Sequence, residues 1–209
     1  MATDTVLGPL RQVKAARVTK QHTAQLQDSL VFWRGLARFA PPVRIQAAPN
    51  DDHPGRFGVT VHNDGDVAIP RAFLLHLHPG GGMLHKLWSI APKSSSVATP
   101  TPKESPVVFN EQVQEALLQA VVDAGLPTDA AKALVASFTH NWLKAHGLRV
   151  IVVAPAEWGA AWFPTTLQPL PTSHTRVALG RFEVLTAADE DQAAASLDPI
   201  AFATGEPQR

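Results

Sequence analysis

Three histidines flank a run of three glycines in AFLLHLHPGGGMLHKLW, residues 72–88. Imidazole is the commonest metal ligand, and three of them with an open fourth position is the pattern of a catalytic zinc site. If Pro79 to Gly82 form a hairpin loop, His78 stands opposite Met83 and His76 opposite His85. Side chains two apart on a strand share a face. His76, His78 and His85 then converge on one side, and Phe73, Leu75, Leu77, Leu84 and Trp88 take the other, core side. Direct cross-strand Cβ separations of ~5 Å let two imidazoles reach one ion. The chemistry on offer is that of a metal-dependent enzyme, with zinc or another divalent transition metal as cofactor and water as fourth ligand.

Two observations weigh against it. The hairpin holds no Asp or Glu to orient the rings or to complete a two-His, one-carboxylate iron site. A one-residue change of register would also separate His85 from the other two. The expectation is therefore a polar sheet face without a cofactor, the metal site being the alternative. HLHP is similar to the opening of the first cupin motif, but the acidic ligand that should follow is missing and no second motif lies near His174, so that reading is rejected.

The remaining candidates are weaker. His140 and His146 are six apart and do not stack on one helical face, so helix-end roles are expected. Asp51-Asp52-His53 and Asn63 to Asp66 match no EF-hand loop and read as turns. No G-x-S-x-G and no phosphate-cradling glycine motif occurs, and the glycines at 80–82 precede a strand rather than a helix. With no Cys among 209 residues there is neither a disulfide framework nor thiolate chemistry.

The elements that must position these residues follow from periodicity and breakers. Arg11, Lys14, Arg17 and Lys20 recur every three residues on a basic stretch over 10–22, read as a solvated helix or arm that could dock on an acidic partner. Leu26, Leu30, Trp33 and Ala37 predict a helix over 24–40, ended by Pro41-Pro42. Phe57, Val59 and Val61 alternate on a strand. The turn at Asn63 to Asp66 leads to strands at about 67–78 and 83–90, an antiparallel meander. Residues 92–106 are Pro, Ser, Thr and Lys, read as a linker. Asn110 is expected to cap a helix stopped by Gly125, and Thr128 a second helix that carries Trp142 and Ala145 and is ended by Gly147. The short link makes them an antiparallel pair. LRVIVVA, 148–154, is so continuously apolar that it should be covered on both faces. A last strand spans 176–186, with Gly180 at a bulge or close approach, and a short helix is expected around Gln192 to Leu197.

The chain thus reads as α+β: an antiparallel meander or small β-sandwich-like unit, an α-helical hairpin, two further strands and an N-terminal helix. The segments are a basic arm and helix at 1–45, a β unit at 46–91, the linker at 92–106, the helical hairpin with strands at 107–186, and an acidic tail at 187–209. Eighteen basic and eighteen acidic side chains give no net charge and no support for nucleic-acid binding. Their distribution is uneven: Glu183, Asp189, Glu190, Asp191, Asp198 and Glu206 face only Arg209 in the tail, against the basic head. That asymmetry suits self-association. No stretch reaches the roughly 18 apolar residues of a membrane helix. The first 18 residues have no uninterrupted apolar region of a secretory signal. Cytoplasmic synthesis is expected, with export by a route that needs no such signal left open.

Residues 124–186 carry a helix with Trp142 near its end, Gly147 to Val150, Pro164, Arg176-Val177, and Gly180-Arg181 with Glu183. This pattern resembles the C-terminal region of a group of bacterial envelope-associated proteins of no assigned activity, and residues 57–91 resemble what precedes it there. The resemblance implies no catalytic residues. Taken together, the expected function is a non-catalytic structural or interaction component that assembles with itself or with protein partners. Its contact residues would be Arg11, Lys14, Arg17 and Lys20, with the aromatics Trp158, Trp162 and Phe163 if they are exposed.

Overall fold

The computed structural model describes residues 8–14, 18–20, 23–28, 40–49, 57–78, 80–99, 105–138, 142–143, 145–186, 189–191 and 194. Along the chain these form α1 (Gly8–Arg11), β1 (Val18–Lys20), β2 (Thr23–Asp28), β3 (Val43–Pro49), β4 (Phe57–Asn63), β5 (Ile69–His78), β6 (Gly81–Ile90), β7 (Ser94–Ala98), α2 (Pro106–Asp123), α3 (Thr128–Phe138), β8 (Gly147–Val153), α4 (Ala156–Trp162) and β9 (Leu179–Val184). The class is α+β, with every strand pair antiparallel.

The four-stranded sheet, in the order β6-β5-β8-β9, is the middle of three layers. Odd-numbered side chains of β5 and β8 (Phe73, Leu75, Leu77, Ile151, Val153) pack with Phe109, Val113 and Leu117 of α2 and Ala131, Val135 and Phe138 of α3. Even-numbered ones (Ala72, Leu74, Val150, Val152) pack with Val59 and Val61 of the three-stranded sheet β3-β4-β7. An antiparallel strand commonly keeps one face wet; β5 does not, because a layer closes on each side of it. The same sandwiching covers both faces of β8, as its continuous apolar run predicts. Pairing of β5 with β8 joins strands from both sides of the proline-rich stretch into one sheet.

Four local expectations are corrected. The basic stretch read as a helix or arm and the start of the helix expected over 24–40 instead hold β1 and β2, paired as antiparallel strands, and the single helical turn α1 precedes them. Thr23, Gln25 and Gln27 alternate with Ala24 and Leu26, a period-2 pattern hidden inside the helical one. Trp33 and its neighbours at 29–39 lie outside the described residues. Ser94–Ala98, read as linker, is β7 and pairs with β4. Ser94 and Ser95 are exposed, Ser96 is half-buried and Ala98 is buried, so polarity marked a sheet edge, not a missing hydrogen-bond ladder. Helix α2 begins four residues before Asn110: Ser105 Oγ accepts from the Val108 N–H, and Pro106 presets the first turn. Finally, α4 was not anticipated at all.

One stop signal holds and one moves: Gly125, at φ +97°, closes α2, but α3 ends at Phe138, so Trp142 and Ala145 lie beyond it in turn and bend, and Gly147, at φ +116°, opens β8 instead of ending the helix. Gly180 is a close approach: a Cβ there would stand 2.9 Å from the Phe182 ring.

Candidate functional site

The hairpin at the centre of the sequence reading closes more tightly than a Pro79–Gly82 loop allows. His78 pairs with Gly81, His76 with Met83 and Leu74 with His85. Only Pro79 and Gly80 separate the two strands, so the expected pairings of His78 with Met83 and of His76 with His85 are replaced by a register two residues tighter. Parity survives this shift, and all three histidines stay on the even face. That face is not a polar one, however. Leu74, Met83, Leu87 and Leu148 on it are buried in the inter-sheet core. The histidines sit at the end of the face nearest the turn.

The tighter register brings His76 and His78 together and leaves His85 apart. The first two rings have centroids 5.9 Å apart. His85 is exposed on the outer strand, beside Leu74 instead of beside either ring. The Nδ1 of His78 accepts the Gly80 N–H at 3.2 Å. In the neutral ring this leaves the proton on Nε2, so neither nitrogen offers a lone pair to a cation while that bond stands. Among the described residues no group of three or more His, Asp or Glu side chains is placed to hold a metal ion.

A carboxylate does approach from elsewhere in the chain. Leu148, the partner of His76, pairs in turn with Val184, so the segment after β9 passes the same end of the sheet. There Thr186 and Asp189 form a reciprocal cap. The Asp189 carboxylate accepts the Thr186 N–H at 2.9 Å and its hydroxyl at 2.7 Å, while Thr186 Oγ1 accepts the Asp189 N–H at 3.3 Å. These bonds hold the Asp189 carboxyl below the ordinary carboxylate range, with His76 adding a smaller effect. Burial, and then the neighbouring His78, lower the pKa of His76, which Asp189 opposes. The geometry is that of a neutral imidazole at a packed edge beside a carboxylate already engaged by backbone.

The three aromatics expected as contacts differ in exposure. Trp158 is buried against the sheet sandwich, and its ring lies 5.3 Å from that of Trp162. Trp162 and Phe163 are half-buried. Gly65 explains the fit of Trp158, since a Cβ there would meet the indole at 2.8 Å. Of the basic residues, Arg11 and Lys14 are exposed, Arg17 lies outside the described residues, and Lys20 has its backbone in β1. Among the described residues the large exposed aromatic is Trp88, expected on the core side. It shares the helix-facing side with Arg71 but keeps 60% of its surface, beyond the cover of α2. The Arg71 guanidinium lies 4.6 Å from its ring centroid and reaches Asp123 at 3.4 Å.

Two buried polar side chains escaped the sequence reading. Arg149 is fully buried on the helix-facing side of β8. It donates to the carbonyls of Trp142 and Ala145, each at 2.6 Å, and of His146 at 3.0 Å. Asn63 is fully buried at the end of β4. Its amide donates to the carbonyls of Val67, Ile90 and Ala91 at 2.9–3.1 Å, and its oxygen accepts the Gly65 N–H. A charged residue inside an apolar run was the available signal for Arg149; for Asn63 the turn sequence masked it.

No family model, no curated protein and no solved structure matches this chain.

Proposed function

We propose that the protein is a non-catalytic interaction component that assembles through the outer strand of its larger sheet, in the first instance with a second copy of itself. The observation that carries this reading is Trp88. It is a large exposed ring on β6, held under Arg71, which Asp123 anchors in turn while Gln119 binds the other Asp123 oxygen at 2.7 Å. An aromatic already ordered in the free protein loses little rotamer freedom on binding, which is what makes such rings effective contact anchors.

Two further features support it. Among the described residues no strand pairs with the outer side of β6, and an edge of this length is a template for strand addition. Lys86 and His85 are exposed on the same strand, and such charge discourages indiscriminate sheet extension. It selects a partner with acidic side chains, which the region 183–209 of a second copy supplies. No helix among the described residues is long and apolar enough to cross a membrane.

Light scattering after size exclusion of the full chain tests the reading. The expected result is a mass above that of the monomer at high concentration and low salt, falling to the monomer in raised salt or in Trp88→Ala. A strict monomer under every condition, or an oligomer indifferent to Trp88→Ala, overturns it.

A further inference from the structure

Helix α4 buries Trp158 and Gly159 and leaves Ala156 and Ala160 exposed on its other side. The chain beyond it returns past that exposed side, and the two enclose an open cleft of about 460 Å³ lined by Ala156, Ala160, Pro164, Thr165, His174 and Arg176. Ala156, Ala160 and Pro164 form an apolar side and Thr165, His174 and Arg176 a polar one, and the volume is in the range small-molecule sites occupy.

The polar half is arranged for an acceptor. One terminal nitrogen of Arg176 donates to the carbonyls of Gly159 at 3.2 Å and Phe163 at 2.8 Å, at the end of α4. That double contact orients the guanidinium. Among the described residues its Nε and other terminal nitrogen have no hydrogen-bond partner, and this edge of the guanidinium is the one that matches a planar two-oxygen group. Thr165 gives its hydroxyl proton to the Phe163 carbonyl at 3.1 Å. The exposed His174 adds a ring nitrogen. None of the six lining residues is acidic; the nearest carboxylate in sequence, Glu157, is exposed on α4.

We propose that this cleft binds a small organic carboxylate, its two oxygens on the free edge of Arg176 beside His174 and its hydrocarbon part on Ala156, Ala160 and Pro164. A carboxylate fits better than phosphate because one bidentate edge is on offer and the facing wall is apolar. The site is separate from the Trp88 strand and does not depend on assembly.

Amide-resolved NMR titration of the full chain with butyrate, butyramide and inorganic phosphate tests it. Butyrate is expected to give saturable shifts at Ala156, Ala160, Thr165 and Arg176. Phosphate should bind about tenfold more weakly, butyramide should give no saturable shift, and Arg176→Gln should weaken butyrate about tenfold for loss of the charge-assisted pair. Ala160→Leu, a change at an exposed helical position that keeps the fold, should abolish binding by filling the cleft. Equal response to butyramide, equal or tighter binding of phosphate, shifts that do not saturate, or binding that survives Ala160→Leu each overturn the proposal. Should Arg176→Gln unfold the chain, Ala160→Leu decides.

Discussion

Arg149 and Glu183 stand directly opposite each other on β8 and β9, with Arg149 Nε 3.5 Å from Glu183 Oε2. Glu183 also bonds Arg181, whose guanidinium lies 5.9 Å from the centroid of Trp142, and Trp142 stacks on Phe138 at 4.2 Å. Since Arg149 also holds the Trp142 carbonyl, the two strands and the end of the helical hairpin are tied in a closed ring of contacts. Burial pulls the Arg149 guanidinium below its ordinary pKa, and Glu183 opposes this.

Removing that guanidinium leaves three carbonyls without their donor and takes one of the two cations from Glu183, which keeps Arg181. Arg149→Met is therefore expected to destabilise by about 3–5 kcal/mol, the cost of breaking a buried ionic network from one side. Glu183→Gln, at a side chain 47% exposed, should cost about 1 kcal/mol or less. Urea unfolding curves check both; equal midpoints for the two variants would refute the ring.

Gly82 answers the question posed by the glycine run. A Cβ there would stand 2.5 Å from the Phe109 ring, so the missing side chain is what lets α2 lie on β6. Gly82→Ala is expected to cost about 1–3 kcal/mol by overpacking. Gly8→Ala, with no atom within 4 Å of the added carbon, should not lose stability. Thermal melts of the pair separate a packing role for Gly82 from a general effect of replacing glycine.

Asn63 joins the end of β4 to the segment after β6, through two amide protons shared by three carbonyls. A carboxylate at that position cannot donate. Asn63→Asp should thus be worse than Asn63→Ala, and each should cost at least about 1–3 kcal/mol for buried groups left unmade. Denaturant titration at neutral pH ranks them, and the reverse order would show that the amide is not the donor described.

Acid should act on the His76 end of the sheet in two steps. His76 has its pKa lowered from 6.5 in the fold. The unfolded chain binds this proton more readily, so stability begins to fall as pH drops through 6.5 and stops falling below the folded value. Asp189 is lowered from 3.8. Its share is present above that pH and is lost only as pH falls through the still lower folded value. Stability measured against pH should lose the upper step in His76→Gln and the lower one in Asp189→Asn. An unchanged upper step in His76→Gln would place the burial penalty on another group.

Local physics made part of this legible. β4, β5, β6 and β8 were visible in alternating or continuous apolar runs, and the α2-α3 hairpin in its 3.6-residue pattern. Gly125 and Gly147 marked boundaries because only glycine sits easily at their φ angles. The segment 94–98 was illegible for the opposite reason: an edge strand needs backbone partners and little hydrophobic surface, so SSSVA carries almost no pattern. The β1-β2 pair was lost to two periods present in the same residues.

By itself, then, the sequence determined the α+β class, most strands and both long helices, because these depend on side-chain period and backbone preference within a few residues. Only the tertiary structure decided the two-residue shift that keeps His85 away from His76 and His78, the burial of β5 on both faces, the exposure of Trp88 and the capture of the Trp142, Ala145 and His146 carbonyls by Arg149. Each of these is a contact between residues distant along the chain. Register depends on which turn closes a hairpin, and burial on which layer lies above it, and neither is written in the residues concerned.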